Sequence, residues 1–376
     1  LPVAVKDIFD TADYPTESGS VVHAGRQPAE DCTVVARLRE AGAVIPGKTV
    51  TTEFATYTPG KTRNPHNFEH TPGGSSSGSA AAVADCMVAL AVGSQTNGSV
   101  IRPAAFCGVY GFKPTHGLIS RHGVTLLSRT LDHVGVFART VEDLALLADV
   151  LIGYDPEDPD TSMVSAPDLS DAVNQSPPVP PRLALVPTPV WQQMDSSTHE
   201  AFAEIESTLG DGIERVDLPT IFEQAYGWHR TLMQAEMAWN LRREYVRGRD
   251  ALSARLRDMI EAGQKATAFE HQQALEGRAV LNAQLDALFE DFDAIVTPAA
   301  LGEAPRGLDA TGDPVCCTPW TLCGTPAITL PLLEGPAGLP MGVQLIGPRR
   351  GDATLLRTAC WLANALAPTS EEEAAT

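Results

Sequence analysis

A run of glycine and serine, Thr71-Pro72-Gly73-Gly74-Ser75-Ser76-Ser77-Gly78-Ser79, stands directly before an alanine-rich stretch. Small residues allow a ligand or a neighbouring backbone to come close, and the N-terminus of the following helix offers free N–H groups. Three chemistries use such a loop: phosphate binding, a strained nucleophilic serine, and a serine proton path. A phosphate loop needs Lys and Ser/Thr after G-x-x-x-x-G, yet Gly73 to Gly78 is followed by Ser79 and Ala80, which excludes it. A G-x-S-x-G elbow centred on Ser76 needs a hydrophobic strand immediately ahead, and Asn67-Phe68-Glu69-His70-Thr71-Pro72 is not one. The third use takes the loop together with Gly93-Ser94-Gln95-Thr96-Asn97-Gly98-Ser99-Val100-Ile101-Arg102-Pro103 and with Lys6.

Here a resemblance to a known family becomes specific. The Gly-Gly-Ser-Ser-x-Gly-Ser loop, a second Gly-Ser whose serine lies 24 residues after Ser75, the Arg-Pro that follows it, Cys107-Gly108 and Gly111-Phe112-Lys113-Pro114-Thr115 together resemble the amidase signature family. Lys6 in Pro2-Val3-Ala4-Val5-Lys6-Asp7 stands where that family carries its basic lysine. Further likeness at Ser128 to Gly135, Val296-Thr297-Pro298, Gly324-Thr325-Pro326-Ala327 and 342–348 covers nearly the whole chain apart from 196–290. What the resemblance implies is a C–N bond hydrolase working through an acyl-enzyme on Ser99, with Ser75 as bridging serine after a cis Gly74–Ser75 peptide bond and Lys6 as the base. It also implies an oxyanion hole from the backbone N–H groups of Thr96, Asn97, Gly98 and Ser99, and neither a metal nor an organic cofactor. A small-molecule amide is the expected substrate; carbamates, ureas and esters pass through a similar oxyanion and are the alternatives. A different implied role is the A-type subunit of a tRNA-dependent transamidation complex.

Amide hydrolysis needs a nucleophile stronger than a serine hydroxyl, a proton route to the leaving amine, and donors aimed at the developing oxyanion. Lys6 accepts a proton only when neutral, so burial must lower its pKa from near 10.4. Two features depart from the commoner family pattern. Asn97 takes a place usually held by glycine, which predicts an unusual backbone or side-chain geometry there. Arg102 comes three residues after Ser99 rather than two, a spacing that resembles the malonamidase-like branch, in which the arginine holds a substrate carboxylate. A structural ion pair is the competing role for Arg102, and helix capping the competing role for Ser76 and Ser77. Lys113 and Asp132 are expected to fix loops, and His70, His116, His122 and His133 have no part in this mechanism. Trp320 is expected to line the substrate pocket.

The elements that must position these groups follow an α/β rhythm. A strand is expected at Val3-Ala4-Val5, a helix then a strand between Asp31 and Ile45, and a helix from Ala80 to Leu90. Residues 196–290 predict two or three long amphipathic helices facing the substrate, and the tail returns to strands before a helix at 353–366. The fold expected is a single α/β domain over 1–376, a mixed, largely parallel twisted sheet with helices on both faces. Residues 371–376 should fray, and the family's helical segment ahead of the lysine is expected to be missing. The 376 residues carry 27 basic and 47 acidic side chains, a net charge of -20, which disfavours nucleic acid and anionic membranes and makes a small molecule the expected partner. The same charge argues against the transamidation role. A homodimer is compatible with the chain. Seven scattered cysteines without a CxxC pair read as reduced thiols, and with no signal peptide or spanning run the protein is expected in the cytoplasm.

Overall fold

Runs in which nearly every residue is apolar or small become strands covered on both faces. In the computed structural model, which describes residues 1–163 and 165–367, ten strands form one sheet; the expected fraying at 371–376 lies outside the described residues. They are β1 (Val3–Lys6), β2 (Lys48–Thr49), β3 (Leu90–Gln95), β4 (Tyr110–Lys113), β5 (His133–Ala138), β6 (Leu183–Leu185), β7 (Ile213–Arg215), β8 (Ala294–Pro298), β9 (Ala327–Glu334) and β10 (Pro340–Ile346). Their order is β2-β1-β3-β5-β4-β9-β10-β8-β6-β7. β1, β3, β5 and β8 are buried along their whole length, so side chains or helices cover both faces there.

The sheet is mixed, as expected, but its parallel share is smaller than the largely parallel sheet expected from sequence. β2-β1-β3 and β8-β6-β7 are parallel ladders at the two flanks, while every pairing from β3 through β5, β4, β9 and β10 to β8 is antiparallel. A continuous apolar run has the same pattern in either kind of buried strand, so periodicity carries no direction. Val44 makes only an isolated bridge to Pro2, and the strand beside β1 is instead Lys48–Thr49.

The stretch 196–290 holds helices Ser196–Leu209, Ala225–Asn240, Arg242–Gly248, Ala254–Gly263 and Ala268–Leu288. The last begins at a reciprocal cap between Thr267 and Glu270. β7 lies inside this stretch and pairs with β6, so the helices are anchored to the same sheet as the serine loops. No described helix is long and apolar enough to cross a membrane.

Helices Ala225–Asn240 and Ala254–Gly263 touch backbone to side at Gly263, where an added Cβ would fall 1.9 Å from the Gln234 carbonyl oxygen. A carbonyl in mid-helix cannot yield. Gly263→Ala should therefore destabilise the protein by about 1–3 kcal/mol through overpacking; a change under about 0.5 kcal/mol in chemical denaturation would show that the crossing has slack.

Candidate active site

β1 lies between β2 and β3 and delivers Lys6 into the interior, where the residue is fully buried. Its Nζ lies 2.7 Å from Ser75 Oγ, 3.0 Å from Ser76 Oγ and 2.9 Å from Ser94 Oγ. Among the described residues no carboxylate pairs with it. Desolvation holds its pKa well below 10.5, opposed by the more distant negative charge of Asp132. Ser76 Oγ donates to the Ser94 carbonyl at 3.2 Å, so its one proton is spent and it receives from the amine. An uncharged amine has two N–H groups and one lone pair. Donation to Ser76 and Ser94 leaves the lone pair for the Ser75 proton.

The Gly74–Ser75 peptide bond is cis. Ser76 is the residue before helix Ser77–Ala84, yet its side chain makes no capping bond; the hydroxyl faces Lys6 instead. Ser77 donates to the Val50 carbonyl at 3.3 Å. Helix capping is thus not the role of Ser76, and Ser94 is an amine partner that sequence reasoning missed.

Between β3 and helix Ile101–Cys107 runs the loop 96–100. None of the backbone N–H groups of Thr96, Asn97, Gly98 and Ser99 has an acceptor among the described residues. Its outward-facing groups are all engaged. Gln95 Oε1 accepts from Val100 N at 2.8 Å and Ile101 N at 3.1 Å, and Gln95 Nε2 donates to Thr321 Oγ1 at 2.9 Å. Thr96 Oγ1 donates to Asp132 at 2.6 Å, and burial pushes that carboxyl up to about 6. Asp132 also accepts from the Leu127 and Ser128 amides, which makes it the loop-fixing residue expected. Asn97 has a negative φ and so needs no left-handed backbone; its side chain accepts from Thr318 Oγ1 at 2.8 Å. Gly98 approaches Pro314 and Cys317 so closely that an added Cβ would lie 3.0 Å from Pro314 Cβ. Unpaired amides in a loop of small residues can receive a developing negative charge.

Ser99 is nearly buried and lines a narrow inner pocket with Arg102 and Thr96. Its hydroxyl makes no hydrogen bond among the described residues, so the structure shows no Ser75–Ser99 contact of the kind the sequence led us to expect. Arg102 is 1% exposed; Nη2 donates to the Gly74 carbonyl at 2.7 Å and to Thr311 Oγ1 at 3.2 Å. Its Nε and Nη1 have no partner, and no carboxylate pairs with it among the described residues, which removes the structural ion pair as its role. The inner pocket shares Tyr57, Asn97, Met233, Met259 and Pro314 with an outer cavity of about 530 Å³, whose rim carries Arg230, Arg255 and Asp313.

Trp320 does not line this cavity. It is fully buried in the hydrophobic core beside Leu322 and Cys323, because helix Thr318–Cys323 is buried all round and only Thr318 reaches the outer cavity. Lys113 donates to the Thr325 carbonyl, fixing that loop, and burial brings its pKa to about 7. All seven cysteines are free, and five of them are buried.

The amidase family description matches residues 1–356. A relative from Synechococcus elongatus, the A-type chain of its glutamyl-tRNA(Gln) amidotransferase, is 32% identical over 96% of this chain and 82% of its own length. Among solved structures, one from a vestigial protein complex bearing on the evolutionary origins of an s-triazine catabolic enzyme superposes with a TM-score of 0.90 at 29% identity, over 97% of this chain and 83% of that one. The peptide amidase of Stenotrophomonas maltophilia superposes with a TM-score of 0.82 at 26% identity, over 97% and 82%.

A lysine whose pKa falls on folding makes the unfolded chain bind more protons between the folded value and about 10.5, so stability rises with pH through that window. Lys6→Met removes this cost. The stability of the variant relative to wild type should therefore be more favourable at pH 7 than at pH 10 in denaturant titrations, and an equal difference at both would mean that the buried amine keeps its ordinary affinity for the proton.

Proposed function

The chain belongs to the amidase family, and on that footing we propose that it is a serine amidohydrolase that cleaves the C–N bond of a small-molecule amide through an acyl-enzyme. Ser99 is the nucleophile, Ser75 the bridge and Lys6 the base. The observation that carries this reading is the fully buried Lys6 amine 2.7 Å from Ser75 Oγ, with hydroxyls rather than carboxylates around it. Uncharged Lys6 takes the Ser75 proton as Ser75 takes that of Ser99; Ser99 Oγ then adds to the amide carbonyl. The carbonyl oxygen becomes an oxyanion among the N–H groups of residues 96–99. Returned along the same path, the proton leaves on the departing nitrogen, and water deacylates Ser99. Carbamates, ureas and esters are accommodated by the same steps.

Arg102 supports a substrate with a carboxylate close to the scissile bond. Arg102 lines the inner pocket with two of its nitrogens buried and unpartnered, and a guanidinium binds carboxylate through paired, charge-assisted hydrogen bonds. Arg230 and Arg255 at the rim make no ion pair among the described residues and add positive potential in a chain whose net charge is -20. A second reading is favoured by the likeness to the A-type chains of amidotransferases: the same cleavage would release ammonia inside a transamidation complex.

Fluorophosphonate labelling with peptide mapping tests the nucleophile. The label should fall on Ser99 and vanish in Ser99→Ala; a label on Ser76, or one that persists, would sink the assignment. For the substrate class, Arg102→Gln should lower kcat/KM on a monoamide of a short dicarboxylic acid by roughly 10²-fold while a neutral amide changes less than about threefold. Equal losses on both would remove the carboxylate contact. Turnover by the purified chain alone supports the hydrolase; glutamine cleavage that needs added partner proteins supports the second reading.

A further inference from the structure

Helix Ala225–Asn240 sends one side chain, His229, to the back of the loop that carries the unpaired amides. His229 is buried, and its Nε2 lies 2.8 Å from the Thr96 carbonyl oxygen. A carbonyl only accepts, so Nε2 carries the proton and Nδ1 the lone pair. Desolvation keeps the ring uncharged at neutral pH, with a pKa of about 4.

The consequence for the loop follows from peptide planarity. In a trans peptide the C=O of one residue and the N–H of the next point in opposite directions. Holding the Thr96 carbonyl towards His229 therefore turns the Asn97 N–H to the other side. The two following peptides are held in the same way: the Asn97 carbonyl accepts from Thr321 Oγ1, which orients the Gly98 N–H. The Gly98 carbonyl accepts from Arg102 N at 2.9 Å, which orients the Ser99 N–H. Two of these clamps come from short helices beside the loop, 101–107 and 318–323. The third comes from the wall of the substrate cavity, which His229 itself lines.

We propose that His229 is a positioning residue for the oxyanion hole, acting through the Thr96 carbonyl to aim the Asn97 N–H at the substrate. This rests on the reading of Ser99 as nucleophile. Its test compares His229→Gln, which keeps a donor, with His229→Met, which removes it at similar volume, on an amide turned over by the wild-type chain. His229→Met should lose roughly 10- to 100-fold in kcat with KM within about threefold, and His229→Gln should regain at least tenfold of what a 100-fold loss removes. A kcat for His229→Met within threefold of wild type, or a His229→Gln no better than His229→Met, would overturn the proposal. Should His229→Met not fold, ¹⁵N-histidine NMR of the wild-type chain, assigned with His229→Gln, decides it: an uncharged ring protonated at Nε2 at pH 7 supports the clamp, and the Nδ1–H tautomer or a cation refutes it. A wild-type chain that neither labels at Ser99 nor cleaves amides would instead overturn the proposed function, and the tautomer would still report whether the clamp exists.

Discussion

A lysine amine sealed in the interior without a carboxylate is the constraint on which the site depends. Had an acid been placed beside it, the pair would be charged and inert as a base; left among hydroxyls, the amine gains less from its proton than burial costs. Every nearby element serves that arrangement. β1 is held between two parallel neighbours, so Lys6 leaves the sheet at a fixed height, and β3 brings Ser94 alongside. The serine loop wraps over the remaining side with Ser75 and Ser76. Asp132 is an acid whose charge reaches the amine, and its protein contacts run to Thr96, Leu127 and Ser128 rather than to Lys6.

The loop after β3 uses a complementary device. Its carbonyls at 96, 97 and 98 are engaged by His229, Thr321 and the Arg102 N–H, and peptide planarity then turns the Asn97, Gly98 and Ser99 N–H groups, which have no partner among the described residues, the other way. Buried N–H groups are seldom left unpaired, and several in succession beside the Ser99 hydroxyl form a place where anionic charge can be received. Rigidity there costs nothing during reaction because the donors are already in place. Position 97 needs no glycine for its backbone, since Asn97 stays on the ordinary side of φ and its side chain is tied to Thr318.

Much of this was legible in the sequence because small residues and lysines are unusual in the settings where they occur here. A lysine after three apolar residues, two glycine-serine loops and an arginine beyond the second loop carry their chemistry in their types and order. Strand positions were readable from apolar runs, whereas strand direction was not, because a strand covered on both faces looks alike in parallel and antiparallel ladders. Trp320 went to the core since proximity to the pocket in sequence says nothing about the face a short buried helix presents. His229 had a signal that went unread: it shares a helical stripe with Ala225, Leu232 and Met233, all buried, and a polar residue on an apolar stripe needs a hydrogen-bond partner in the interior. What that partner was could only come from the fold, 133 residues away along the chain.

Two cations are buried in this site, and burial drives them to opposite ends. Desolvation weakens the hold of both on their protons. The lysine begins near 10.5, within reach of neutrality, and has hydroxyls for partners with only the more distant Asp132 charge favouring its proton. An arginine begins so far above physiological pH that it stays charged in a protein interior. Its charge then has to be met by something, and a carbonyl and a threonine hydroxyl satisfy only one of its three nitrogens. The same burial thus lowers the lysine's hold on its proton and leaves the Arg102 guanidinium with two nitrogens unpartnered beside Ser99 in the inner pocket; on the proposed reading, a substrate carboxylate is what would meet them.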